Sequence, residues 1–147
     1  MQPSAEGQLF TDIVLEVFKL AGLLASEGDR LGKDQDMSSA RWKVLGALAR
    51  ENAPMTVSQV ANSMGQSRQG VQRLANELQA IGVLEFVDNP AHKKSKLLSL
   101  TPQGLEVLQA LQQKQVPWAE DCARTEKLAS LQVTLAQLRA LSSKFQP

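Results

Sequence analysis

Ser67-Arg68-Gln69 and, one helical turn on, Gln72-Arg73 set five polar side chains on one side of what the spacing makes a helix, and no acidic residue occurs from Ser67 to Asn76. Their groups suit the edges of base pairs. A guanidinium can pair bidentately with guanine and a glutamine carboxamide with adenine, while a helix start carrying Ser67 can hold a phosphate oxygen. Any amphipathic helix has a solvated polar face, but a generic one mixes the signs of its charges. A second cationic group follows in His92-Lys93-Lys94-Ser95-Lys96, whose ammonium groups suit phosphates better than bases. Taken alone, that run would equally describe a solubilising loop or an edge strand protected by lysine.

The segments around these groups explain how they would be held. Thr56-Val57-Ser58-Gln59 reads as a capping box, with Val60, Ala61 and Met64 continuing a short helix that Gly65 ends in the left-handed conformation. Ser67 then caps a second helix that turns Val71, Leu74, Leu78 and Ile81 inward until Gly82 stops it. Val83–Val87 and Lys96–Leu100 are β-prone runs on either side of Asp88-Asn89-Pro90 and the basic stretch, so they predict a two-stranded hairpin with a long cationic tip. Two short helices about a glycine turn, followed by a hairpin, form the pattern of a winged helix-turn-helix, whose second helix enters the major groove by its N-terminal half.

The flanks read as helices. Leu9, Ile13, Val17, Leu20 and Leu24 recur at steps of three and four, predicting a helix from about residue 8 to 30, most simply buried by its apolar face against the rest of its own domain. Residues 1 to 36 carry seven acids against three bases, so that end should face away from phosphate. Ser38-Ser39 caps a further helix through Trp42, Leu45 and Leu48, ended before Pro54. Thr101-Pro102 opens another through Leu105, Leu108 and Leu111, which Pro117 should kink or break before a last leucine stripe from Leu128 to Leu141.

With 147 residues, 43% of them hydrophobic, the chain predicts one domain, mainly α with a small β-hairpin wing. Its net charge of +1 says nothing about nucleic acid by itself. One cysteine, no apolar leader and no run of roughly 18 apolar residues point to the cytoplasm, away from any membrane. One histidine and one cysteine leave a metal site without ligands, and no motif calls for a cofactor or for catalysis.

From Ser39 to Gly104 the chain resembles a MarR-family regulator, in Thr56-Val57-Ser58-Gln59-Val60-Ala61, in Ser67 through Gly82-Val83-Leu84, and in Ser99-Leu100-Thr101-Pro102-Gln103-Gly104. The helical flanks extend the resemblance over essentially the whole chain. It implies a homodimer whose residues 1–36 and 102–147 form the dimerisation helices and whose residues 37–101 form the winged module, acting as a repressor on a pseudo-palindromic operator in double-stranded DNA. The DNA-binding residues it implies are Ser67, Arg68, Gln69, Gln72 and Arg73, with Lys94 or Lys93 in the wing. The family's wing commonly sets an aspartate two residues before an arginine; His92 and Lys94 stand there instead, and a histidine cannot anchor a lysine as a carboxylate would.

The resemblance also implies release by a small aromatic or lipophilic effector. Phe10, Phe18, Trp42 and Trp118 could line its pocket, with Phe18 and Trp42 chosen as candidates, although aromatics on helix stripes are more often core. Cys122 lies among Asp121, Arg124 and Lys127, which suggests a redox-responsive alternative; with no second cysteine to resolve a sulfenate, an inert thiol is the simpler reading. A further alternative is a winged protein-docking module that does not read DNA.

Overall fold

The computed structural model describes residues 1–147. Its helices are α1 (Ala5–Gly32), α2 (Ser39–Glu51), α3 (Val57–Met64), α4 (Arg68–Ala80), α5 (Pro102–Ala123) and α6 (Leu128–Phe145). Three strands, β1 (Met55–Thr56), β2 (Leu84–Val87) and β3 (Leu97–Leu100), form an antiparallel sheet in the order β1-β3-β2. The fold is therefore mainly α with a winged hairpin, as the sequence implied.

Short polar side chains start the helices. The hydroxyls of Ser38, Thr56, Ser67 and Thr101 each accept the backbone N–H three residues on, satisfying donors that a helix start leaves orphaned. At Thr56 the box is reciprocal, since Gln59 Oε1 accepts the Thr56 N–H at 2.9 Å. Gly65 closes α3 at φ 65°, a conformation glycine adopts without steric cost, and the chain turns there into α4. β1 was not read in the sequence. Two residues are too few to show alternation, and Met55 and Thr56 are strand only because they pair with Leu98 and Leu97.

Sixteen buried hydrophobic residues make one core. Val44, Leu45 and Leu48 of α2 meet Val60 of α3, Val71, Leu74 and Leu78 of α4, and Leu84 and Leu98 of the sheet; Leu111 is the one core residue contributed by α5. The winged module thus buries its own core and holds α4 and the hairpin rigidly against each other.

The N-terminal stripe departs from its simplest reading. Along α1 only Gly32 is buried, whereas Leu9, Ile13, Val17, Leu20 and Leu24 are all exposed. The reason lies in the length of α1 and in how the core is filled: only its C-terminal end meets α2, where Asp29 accepts the Ser39 N–H at 2.7 Å and Ser39 Oγ donates to the Ala25 carbonyl. α6 likewise buries no residue and exposes Leu128, Leu131, Leu135 and Leu138. α5 continues through Pro117, which lies on an exposed part of the helix where water can serve the carbonyl left without an N–H partner.

Candidate nucleic-acid interface

Burial of Val71, Leu74, Ala75 and Leu78 fixes which way α4 faces. The opposite side carries Arg68, Gln72 and Asn76 in one row at four-residue steps, with Gln69 and Arg73 in the next, all exposed. Arg68, Gln69, Gln72 and Asn76 line a cleft of about 610 Å³, whose remaining lining comes from the wing at Phe86, Lys94, Ser95 and Lys96, from Thr56, which caps α3, and from Val57 and Ser58 in the first turn of α3.

Of the residues chosen from sequence, the cleft therefore brings together Arg68, Gln69, Gln72 and Lys94. Ser67, Arg73 and Lys93 are exposed outside its lining, and the Ser67 hydroxyl is occupied by the Gly70 N–H at 3.0 Å. None of Arg68, Arg73, Lys93 or Lys94 is in an ion pair, so each cation is available to an external anion. Glu77, the first acid along α4, is held by Arg41 Nε at 3.1 Å on the side toward α2.

Sequence reasoning missed the first turn of α3 and Phe86 as parts of this cleft. The capping box marked where α3 begins, but its nearness to the wing depends on β1 pairing with β3. In the wing, Asn89 accepts the Ala91 N–H through Oδ1 at 3.1 Å and the His92 N–H through its carbonyl at 3.1 Å. His92 does not anchor Lys94. The acid–base contact runs instead from Lys96 Nζ to Asp88 Oδ1 at 3.8 Å, and being solvent-exposed it contributes little.

A second cavity, of about 550 Å³, opens between α1, α2 and α5. Leu24, Leu31, Trp42 and Trp118 supply apolar surface, and Glu27, Lys43 and Arg50 supply charge. Trp42 is in this lining; Phe18 is outside it, 71% exposed among the outward apolar residues of α1. Trp118, the other aromatic here, donates from Nε1 to Glu27 Oε1 at 3.1 Å. Hydrogen bonding by Arg30, and then by Trp118, holds the Glu27 carboxyl below its ordinary range. Cys122 is exposed, and its neighbour Arg124 is paired with Asp121 at 2.9 Å. No three metal-ligating side chains converge, and no helix is long and apolar enough to cross a membrane.

The sequence profile of the MarR family matches residues 35–95, a stretch that runs from α2 through β2 and the tip of the wing and stops short of β3. An uncharacterised protein of Mycobacterium tuberculosis is 38% identical over 129 residues, covering 88% of this chain and 89% of its own. A MarR-family transcriptional regulator from Streptomyces coelicolor, solved in complex with DNA, superposes with a TM-score of 0.81 at 22% identity, covering 100% of this chain and 92% of its own. Residues 35–95 are therefore a MarR-family segment, in a chain whose whole fold is that of MarR-family transcription regulators. The matched family and the structural neighbours are transcription regulators, not enzymes. The same family fold recurs in CouR from Rhodococcus jostii, solved with p-coumaroyl-CoA, at a TM-score of 0.80 and 14% identity over 89% of this chain and 92% of that one.

Proposed function

We propose that this MarR-family regulator is a sequence-specific repressor that occupies a pseudo-palindromic operator as a homodimer. Residues 37–101 would read the DNA, and residues 1–36 and 102–147 would join the two copies. The observation that carries this reading is the cleft in which Arg68, Gln69 and Gln72 of α4 face Lys94 of the wing with no acid among the lining residues. In such a geometry α4 lies in the major groove, Arg68 and the glutamines address base edges, and the lysines of the wing engage backbone phosphates or the adjacent minor groove. Ser67, Arg73 and Lys93 border the same surface and would contact phosphates or neighbouring bases. Such a regulator would work in the cytoplasm.

Release would come from a small aromatic or lipophilic molecule seated beside Trp42 and Trp118. The cavity there lies where α1 and α5, the helices assigned to dimerisation, meet α2 of the winged module. A molecule wedged at that junction changes the angle between the two α4 helices of a dimer, and hence their fit to successive major grooves.

The test is selection of bound duplexes from a random library at near-physiological salt, followed by sequencing. The expected result is an enriched palindrome with half-sites about one helical turn apart, and a loss of about 1–3 kcal/mol of discrimination in Arg68→Ala or Arg73→Ala, whichever arginine contacts a base. No enrichment, with weak and sequence-blind binding, would overturn the reading in favour of a protein-docking winged module.

A further inference from the structure

Arg41 stands in the first turn of α2 with its side chain 20% exposed, and its guanidinium grips two elements at once. Nε donates to Glu77 Oε1 at 3.1 Å, while Nη1 donates to the Asp36 carbonyl at 3.1 Å and to Asp36 Oδ2 at 3.4 Å. The bond to Glu77 is the one side-chain hydrogen bond that joins α4 to another helix. Asp36 lies in the joint between residues 1–36 and the winged module, in a left-handed conformation at φ 55°, and the 3-10 turn just before it is held to α5 by Asp34 and Lys114. Ser39, two residues before Arg41, is bound to α1 through Asp29 and the Ala25 carbonyl. Two residues turn a helix by about 200°, so Ser39 and Arg41 grip from opposite sides of α2. Ser39 fixes α2 to α1, and Arg41 fixes α4 to the joint. The planar fork of a guanidinium aims its donors in different directions and stays charged. The module cannot swing about the joint without pulling Arg41 off Glu77 or off the Asp36 carbonyl.

We infer that Arg41 is a positioning residue for operator recognition: by tying α4 to the joint with the dimerisation helices, it fixes the separation and relative rotation of the two α4 helices, and so the half-site spacing that the dimer accepts. The inference rests on the operator-reading homodimer proposed above and adds to it the residue that sets its spacing. One base pair inserted between half-sites moves them apart by about 3.4 Å and turns one against the other by about 35°. A dimer held at one angle loses affinity on such a duplex. A loosened dimer follows the change, but it must order its modules on every duplex it binds and so binds the best one less tightly.

The experiment measures full-length wild type, Arg41→Met, Glu77→Ala, the double variant Arg41→Met/Glu77→Ala and Asp36→Asn against the selected operator, the same operator with one base pair added to or removed from its centre, and duplexes carrying a single half-site with each base substituted in turn. Wild type should bind the altered spacings at least about fivefold more weakly. Arg41→Met should bind the selected operator about two- to tenfold more weakly than wild type, lose most of the spacing penalty, and keep the wild-type base preference on the single half-site. Arg41→Met removes a positive charge and Glu77→Ala a negative one, so their general attraction to phosphate moves in opposite directions. Both break the same bond, so both should relax the spacing, and the double variant should relax it no further than Arg41→Met. Asp36→Asn should keep the wild-type spacing, because that carboxylate is 83% exposed and the bond to the Asp36 carbonyl remains. Methionine preserves the hydrocarbon stem and favours a helix, and Glu77 at 37% exposure can turn to water, so the variants should fold. A spacing penalty unchanged in Arg41→Met, one relaxed in only one of the two single variants, or a base preference lost on the half-site duplexes would overturn the role of Arg41 alone. A wild type that selects half-sites at no preferred spacing would overturn it too, leaving DNA reading in place. A wild type with no base preference anywhere would overturn the operator-reading function, and this inference with it.

Discussion

Trp118 Nε1 donates to Glu27 Oε1 at 3.1 Å, tying α5 to α1 beside Trp42. Lys114, one turn before Trp118 on α5, is paired with Asp34 in the 3-10 turn that follows α1. Two polar ties therefore join the ends of α1 and α5 where they meet the winged module.

Both carboxyls titrate below their ordinary range, Glu27 through hydrogen bonds from Arg30 and Trp118 and Asp34 through its hydrogen bond from Lys114. A depressed folded-state pKa gives a stabilising contribution that is present above the unfolded value and lost as the pH falls through the folded one. These ties should hold at neutral pH and fail below roughly pH 4. Unfolding followed from pH 7 to pH 3 should show Glu27→Gln and Asp34→Asn less stable than wild type at pH 7, with the difference shrinking toward pH 3. A difference that stays constant over that range would show that the carboxylate charge is not what the ties use.

Gly104 in the first turn of α5 lies so close to the Val83 carbonyl that an added Cβ would collide with it. The neighbouring Thr101 hydroxyl donates to the Gly82 carbonyl at 2.7 Å while accepting the Gly104 N–H, so the start of α5 is clamped onto the entry to the wing. Alanine normally improves a helix over glycine by about 1 kcal/mol, but here the obstacle is a backbone oxygen that cannot move aside. Gly104→Ala should destabilise by about 1–3 kcal/mol, whereas Gly46→Ala in α2, whose Cβ would meet only Arg50 Nη1 at an ordinary 3.7 Å, should stabilise. Thermal unfolding of both variants checks the pair; equal shifts of the same sign would rule out the clamp.

The winged module was readable because its signals are local. Thr56 and Gln59, Gly65, Ser67 and Thr101 each act within a turn or two of chain, so type and spacing alone placed α3, α4 and the start of α5. The exposure of Arg68, Gln69 and Gln72 is legible for the same reason: an amphipathic helix shows which side it keeps dry. What failed depends on neighbours distant in sequence. Met55–Thr56 is strand only opposite β3, and the contribution of Phe86 and Ser58 to the cleft follows from that pairing. Phe18, like Trp42, is an aromatic on a helix, yet the contact of α1 with α2 lies near Ala25, Asp29 and Gly32 and leaves Phe18 two turns short of it. Periodicity identifies an apolar face but not the surface that will cover it.

Ile13 of α1 is 44% exposed and Leu135 of α6 is 47% exposed, each in the middle of an apolar stripe that nothing in the chain covers. Monomers rarely expose contiguous apolar patches beyond a few hundred Å², and these two stripes lie on the helices that flank the module without entering its core. In the proposed homodimer a second copy of the chain would supply the matching surfaces, and two-fold symmetry would use each substituted position twice. Ile13→Glu or Leu135→Glu should therefore raise the dimer dissociation constant by at least about tenfold per site, or roughly 1.4 kcal/mol, and shift the mass seen by sedimentation toward the monomer. Because the core of residues 37–101 is independent of both side chains, the far-ultraviolet spectrum of the winged module should survive. Operator affinity should fall with dimer content, since one half-site alone retains only half of the contacts. A protein that sediments as a monomer before any substitution would exclude this assembly and leave the exposed stripes of α1 and α6 to another partner.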